Sequence, residues 1–285
     1  MKTIEDYTRF EIENLHEDVK DGKLIIEKNE IDEDKSEVND FFLSEERVPQ
    51  KRKQGGKVSS DLIVSAQVGT NDEQFKEIAR LYLNDGATVA DITYGKGVFW
   101  KNIDVTKYNF YPTDIKTGVD ARNLPYSNDF LDVCVFDPPY MEGLFRRSEA
   151  HLAGSGTYSS FREYYSNSTV TTDRVLKYHD KVIDIYLSVT REVYRVLKDK
   201  GVYIVKCQDE VSANKQKLTH VEIIYALEKM GFYCEDIFVL VRNNRPVVSR
   251  VLKQKHARKK HSYFLVFKLH KNSKIPYSNF GSLLT

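Results

Sequence analysis

The 285-residue chain carries 41% apolar residues and a formal charge of +1, enough to bury one large core or one core with an appendage. No apolar run approaches the roughly 18 to 20 residues of a bilayer span, and MKTIEDYTRF opens acidic where a signal peptide opens basic and then apolar, so a membrane protein is not expected and a cytoplasmic one is. Cys134, Cys207 and Cys234 are odd in number, sit in apolar stretches and lack Cys-x-x-Cys spacing, which predicts buried free thiols and neither a disulfide framework nor a metal site.

Charge divides the chain unevenly. Residues 1–47 hold a net −9 and the remainder a net +10, a basic body behind an acidic leader. A body of that sign suits a polyanion such as nucleic acid, and it also suits an ordinary solvated surface. Residues 1–58, ending in Lys51-Arg52-Lys53-Gln54-Gly55-Gly56-Lys57, are expected to be a partly disordered leader and linker.

From Thr70 the pattern sharpens. Thr70-Asn71-Asp72-Glu73 has capping-box spacing, and Phe75, Ile78, Leu81 and Tyr82 recur at helical intervals before Gly86. Four short apolar runs follow: ATVADITYGKG (87–97), YNFYPTDI (108–115), LDVCVFDPPY (131–140) and GVYIVKCQD (201–209). They read as buried strands of a parallel sheet. Before the last of them, Val182, Ile185, Tyr186, Val189, Val193, Val196 and Leu197 form one helical stripe. A second helix is predicted near 218–230, ahead of FYCEDIFVLVRNN and HSYFLVFKLH. Strands alternating with helices predict a doubly wound α/β domain over 59–271, whose ligands collect at the carboxyl ends of the strands; residues 272–285 are left as a tail.

Chemistry-bearing residues fall at those ends. Asp91-Ile92-Thr93-Tyr94-Gly95-Lys96-Gly97 is a glycine-rich turn where the backbone can approach a ligand, or a strand-to-helix turn that needs glycine for geometry alone. It is not a phosphate loop, because no Gly-Lys-Ser/Thr follows. Asp114 closes the second run and Asp120-Ala121-Arg122-Asn123-Leu124-Pro125 follows it. An acid at a second strand end can hold ribose hydroxyls, and Asp120 can receive an exocyclic amino group; each is equally at home as a turn or cap residue. The third run ends in Asp137-Pro138-Pro139-Tyr140.

In this order, glycine turn, two acids and Asp-Pro-Pro-Tyr, the chain resembles class I S-adenosylmethionine-dependent amino-methyltransferases, in particular the DNA adenine-N6 and cytosine-N4 methylases. The resemblance implies a Rossmann-like methyltransferase fold with a mostly parallel, seven-stranded sheet and a charged N-terminal extension. S-adenosyl-L-methionine would be the cofactor, with Asp91, Thr93, Tyr94, Gly95 and Gly97 about its methionine part, Asp114 on its ribose, and Asp120 and Ala121 about its adenine. Asp137 and the Pro138 carbonyl would accept the two N–H bonds of a base amino group, localising a lone pair otherwise spread into the ring. Pro139 would stiffen the main chain, and Tyr140 would offer a face for an extruded base.

The substrate implied is adenine N6 in DNA, the nucleoid being the place of action. Cytosine N4, guanine N2 or adenine in RNA, and a non-catalytic nucleic-acid-binding subunit are the alternatives. Two segments are expected to grip the nucleic acid: 141–170, with Arg146 and Arg147, and 242–261, with Arg245, Arg258, Lys259 and Lys260. Two departures from the family stand out. The run carrying the catalytic motif begins only 34 positions after Gly97, so the usual intervening helices are expected to be short or missing. No separate target-recognition domain is visible, so specificity is expected from the loops, the leader or a protein partner.

Overall fold

The computed structural model describes residues 60–140, 179–243, 254–272 and 279–280. The chain divides into two units, Met1–Leu62 and Ile63–Thr285, and nearly all of the first lies outside the described residues. In the second, a seven-stranded sheet has the order β1-β8-β9-β5-β4-β2-β3, and all neighbours are parallel except β9, which runs against both β5 and β8. The strands are β1 (Ala66–Val68), β2 (Thr88–Asp91), β3 (Asn109–Pro112), β4 (Leu131–Phe136), β5 (Leu197–Cys207), β8 (Phe232–Val241) and β9 (His261–Leu269). A separate hairpin, β6 (Glu210–Ser212) and β7 (Lys215–Lys217), follows β5. This is the mostly parallel, doubly wound sheet that the run pattern predicts.

Helix α1 (Asn71–Tyr82) opens with the predicted capping box: the Thr70 backbone N–H donates to Glu73 Oε2 at 2.8 Å. Phe75, Ile78 and Ala79 turn inward, whereas Leu81, expected on the buried stripe, is half exposed. Helix α2 (His179–Val196) buries the stripe read from the sequence, and the strand begins directly at Leu197. Helix α3 (Thr219–Lys229) leads into β8. Asn279 and Phe280 pack back onto this unit: Asn279 Nδ2 donates to Glu228 Oε1 at 2.6 Å, and Phe280 stands edge-on to Tyr225.

The expected shortage of helices between β2 and β4 is observed. β2 reaches β3 through two 3₁₀ turns, Val98–Trp100 and Val105–Lys107, and β3 reaches β4 through a third, Ile115–Thr117. Phe99 and Trp100 cover the sheet in place of a helix, the first 5.2 Å from the Phe264 ring and the second 4.4 Å from Phe110. Because β3 lies on one side of β2 and β4 on the other, the chain reverses direction across the sheet at β2, and a crevice is expected outside its carboxyl end. Among the described residues no helix is long and apolar enough to cross a membrane, no group of His, Cys, Asp and Glu is arranged to hold a metal, and all three cysteines are free and buried.

Candidate functional site

The carboxyl ends of β2, β3 and β4 are tied to one another by the residues singled out in the sequence. Asp91, the last residue of β2, is 3% exposed, and its two oxygens accept from different places: Oδ1 from the Thr93 backbone N–H at 3.0 Å, Oδ2 from the Trp100 indole at 2.7 Å. Burial lifts its carboxyl to about 7; the Trp100 and Thr93 hydrogen bonds oppose the rise, and the nearby Asp137 and Asp114 charges add to it. Both oxygens are thus engaged inside the protein, and Asp91 shapes the turn that follows it. Thr93 reaches across to β4, its Oγ1 accepting the Asp137 backbone N–H at 2.6 Å. Tyr94 N–H donates to Thr113 O at 3.0 Å, joining the turn to the end of β3.

Gly95 and Gly97 take φ of +52° and +64°. At Gly97 a Cβ would stand 2.5 Å from the Tyr94 hydroxyl oxygen, so the ring lies folded over this backbone and a side chain here would have to displace it as well as adopt a left-handed φ. Asp114 caps the third 3₁₀ turn: Oδ1 accepts from Lys116 N–H at 2.9 Å and Oδ2 from Gly95 N–H at 3.0 Å. The Thr117 backbone N–H, at the third position of the turn, is a further donor to this side chain. A carboxylate has about four acceptor positions, so this half-buried acid keeps about one for a ligand. Asp120 differs. Its oxygens take the Arg122 backbone N–H and a fork of Arg122 guanidinium bonds between 2.6 and 3.1 Å. Burial raises its carboxyl, but these Arg122 bonds prevail and hold it below the usual carboxylate value. Its acceptor positions are filled, while Ala121 beside it is buried. The loop is held from α2, where Glu192 Oε1 accepts the Leu124 N–H at 2.8 Å and Arg195 donates to the Leu124 and Tyr126 carbonyls.

Asp137 follows β4 directly, with Pro138 buried and Pro139 partly so. Tyr140 donates its hydroxyl to Asp137 Oδ1 at 2.6 Å. Desolvation raises the Asp137 carboxyl, and Lys206, the Tyr140 hydroxyl and Arg242 pull it back. Lys206 gave no signal within the apolar run GVYIVKCQD, where it reads as one more strand position. It is fully buried, donates from Nζ to Asn71 Oδ1 at 3.0 Å, and lies 3.5 Å from the Phe264 ring centroid. Desolvation pulls this ammonium down to about 7, with Asp137 opposing the fall.

A second polar cluster stands at the carboxyl end of β5. His179, at the start of α2, is clamped between Glu210 Oε1 at 2.7 Å and Glu222 Oε2 at 3.0 Å. Desolvation lowers its pKa, but the two carboxylate hydrogen bonds win and raise it to about 9. Beside it, Asp209 Oδ1 pairs with His220 Nδ1 at 2.7 Å, and the His220 ring stacks on Tyr263 at 4.2 Å. Arg258, Lys259 and Lys260 precede β9, whose Tyr263 pairs with Cys207 at the end of β5, so the triplet lies on the same edge of the sheet as Asp137. Arg146, Arg147 and Arg245 lie outside the described residues, as do all of 141–170 and much of 242–261.

A family model described as DNA methylase, of the N6/N4 type, matches residues 131–281, from the first residue of β4 through the Asp-Pro-Pro-Tyr motif and β9. The chain belongs to the N6/N4 DNA methylase family. Membership of that family implies S-adenosyl-L-methionine as the cofactor. The residues fit that group, with a spare acceptor position on Asp114 and open space beside Gly95, where an added Cβ would meet nothing nearer than 3.8 Å. Among solved structures, a Thermus thermophilus protein provisionally described as a DNA modification methylase, complexed with S-adenosyl-L-methionine, is 16% identical with a TM-score of 0.32 over 55% of this chain and 56% of its own. This chain therefore spans little more than half the length of that protein. A methyltransferase from Methanosarcina mazei is 12% identical, with a TM-score of 0.39 over 68% of this chain and 97% of its own. The PvuII cytosine-N4-specific DNA methyltransferase is 16% identical, with a TM-score of 0.35 over 56% and 49%. No curated protein matches the sequence.

Proposed function

We propose that the chain methylates the exocyclic amino nitrogen of a base in DNA, adenine N6 being the substrate. The observation that carries this reading is Asp137 at the end of β4, its backbone held by Thr93 and its carboxylate met by a hydroxyl donor at 2.6 Å. The Tyr140 O–H occupies the kind of position that a base N–H would take. When Tyr140 turns away, Asp137 Oδ1 is left aimed at a donor, and the Pro138 carbonyl is available for the second amino hydrogen. The two acceptors draw the nitrogen toward tetrahedral geometry and localise its lone pair. Bound S-adenosyl-L-methionine supplies an electrophilic methyl on a sulfonium. Once the amino group has been methylated, its surplus proton passes to Asp137 or to water. Proline at 138 and 139 fixes the main chain in advance, so the carbonyl needs no reorganisation. The turned-out Tyr140 ring offers a flipped base partial recovery of its lost stacking. Aspartate rather than serine at the head of the motif favours adenine by family habit.

The test is incubation of unmethylated DNA, and in parallel of RNA, with the purified chain and labelled cofactor, followed by nucleoside chromatography. N6-methyladenosine in its deoxy form is the expected product. N4-methyldeoxycytidine would correct the base, label in RNA alone would correct the polymer, and tight cofactor binding without any product would point to a non-catalytic subunit.

A further inference from the structure

A lysine buried in the middle of a sheet needs a reason, because an ammonium loses hydration there that an apolar side chain never had. β4 and β5 are parallel neighbours with Phe136 opposite Val205. The next residues along the two strands, Asp137 and Lys206, therefore stand side by side. Their parity puts them on the face occupied by Val133, Val135 and Ile204, toward α1. Among the described residues Lys206 has one hydrogen-bond acceptor, Asn71 Oδ1 in the first turn of α1, and the Phe264 ring faces its ammonium from β9. Packing would be served as well by methionine. What methionine lacks is the charge beside Asp137.

We propose that Lys206 is a positioning residue for the transfer, whose charge, fixed in place by Asn71 and Phe264, keeps the Asp137 carboxyl ionised while a base amino group occupies the site. The amino hydrogen needs an acceptor, and a protonated acid would present a competing O–H donor. Burial alone would favour that protonated form. The other charged or titratable groups about the pair are Arg242 beyond β8, Asp91 at the end of β2, Tyr140, Tyr186 of α2, and Cys207 next along β5. Arg242 acts on Asp137 in the same sense as Lys206; Asp91 acts against both. The inference rests on Asp137 as the amino acceptor.

The experiment follows turnover against pH with unmethylated genomic DNA and labelled S-adenosyl-L-methionine. In Lys206→Met the acid limb of kcat should move to higher pH by about one to three units, the effect of removing an opposite charge beside a carboxyl, with cofactor affinity and melting temperature kept. Lys206→Arg, which retains the charge, should leave the limb in place. Equal displacement by both variants would mean that packing is at stake and would overturn the proposal. Coupling is reciprocal, so in Asp137→Asn the titration of Lys206, read by carbon-13 NMR of labelled lysine, should fall by a comparable amount. That reading needs no activity and decides the matter if Lys206→Met does not fold. An unmoved limb, or an unmoved lysine titration, sinks the inference while leaving Asp137 its role. Wild-type turnover by Asp137→Ala would instead sink the reading of Asp137 itself.

Discussion

Replacing Trp100 by phenylalanine separates the electrical part of the Asp91 contact from the packing around it. Phenylalanine can keep the apolar contacts with Phe75 and Phe110 but removes the indole N–H that Asp91 Oδ2 accepts at 2.7 Å. Asp91 is a buried acid raised from 3.8 to about 7, chiefly by desolvation. The folded form therefore holds a proton that the unfolded chain has already released, and Asp91 contributes stability below pH 3.8 that is lost as pH rises through about 7. Above that, Asp91 is ionised in both states, and the charge it buries leans on Trp100 and Thr93. A hydrogen bond to a charged group is worth about 1.5 to 3 kcal/mol, one between neutral groups about 0.5 to 1.5. Trp100→Phe should therefore destabilise the domain by about 1 kcal/mol at pH 5 and by about 2 at pH 8. Urea unfolding at the two pH values measures both. Equal penalties would show that the indole acts by volume alone, and Asp91→Asn should abolish the difference.

Asp137→Ala should slow methyl transfer by about a hundred- to a thousandfold with cofactor titration unchanged, the usual effect of deleting one transition-state hydrogen bond. Asp114→Ala should weaken S-adenosyl-L-methionine by about 1.5 to 3 kcal/mol in calorimetry. The loss should be at the upper end, because Gly95 N–H loses its acceptor as well. Alanine at Arg258, Lys259 and Lys260 together should flatten the dependence of log affinity for DNA on log salt by up to about 2 to 3 units while base preference survives, as assayed by fluorescence anisotropy. His179, raised from 6.5 to about 9 by Glu210 and Glu222, contributes stability below pH 6.5 that disappears as pH climbs through 9. His179→Gln should therefore melt at lower temperature at neutral pH, with the gap closing in alkaline buffer.

Features written in local pattern were legible before the structure. Alternating apolar runs led to the sheet, the Thr70-to-Glu73 spacing to the start of α1, and the acids at strand ends to one edge of that sheet. What stayed hidden depends on how side chains fold back on their own turn or meet across the sheet. Asp91 looked like a ligand-facing acceptor because nothing in its neighbours reveals that Trp100 folds back through a 3₁₀ turn to occupy Oδ2. Asp120 likewise gave no hint that its own Arg122 fills its acceptor positions. Lys206 was invisible because it reads as one more strand position, and the Asn71 acceptor that holds it lies far away in the sequence. β1 is three residues long, too short to carry any alternation.

The antiparallel β9 lies in the interior of the sheet, between β5 and β8, although it follows every other strand of that sheet in sequence. On the ribosome, β5 and β8 therefore emerge as two unpaired edges that cannot close until residues 261–269 have been made. For that interval the apolar faces that will cover Phe264, Leu265, Val266 and Phe267 have no partner. Synthesis places the keystone after the arch, so the nascent chain passes through a stage suited to chaperone capture and open to edge-to-edge aggregation.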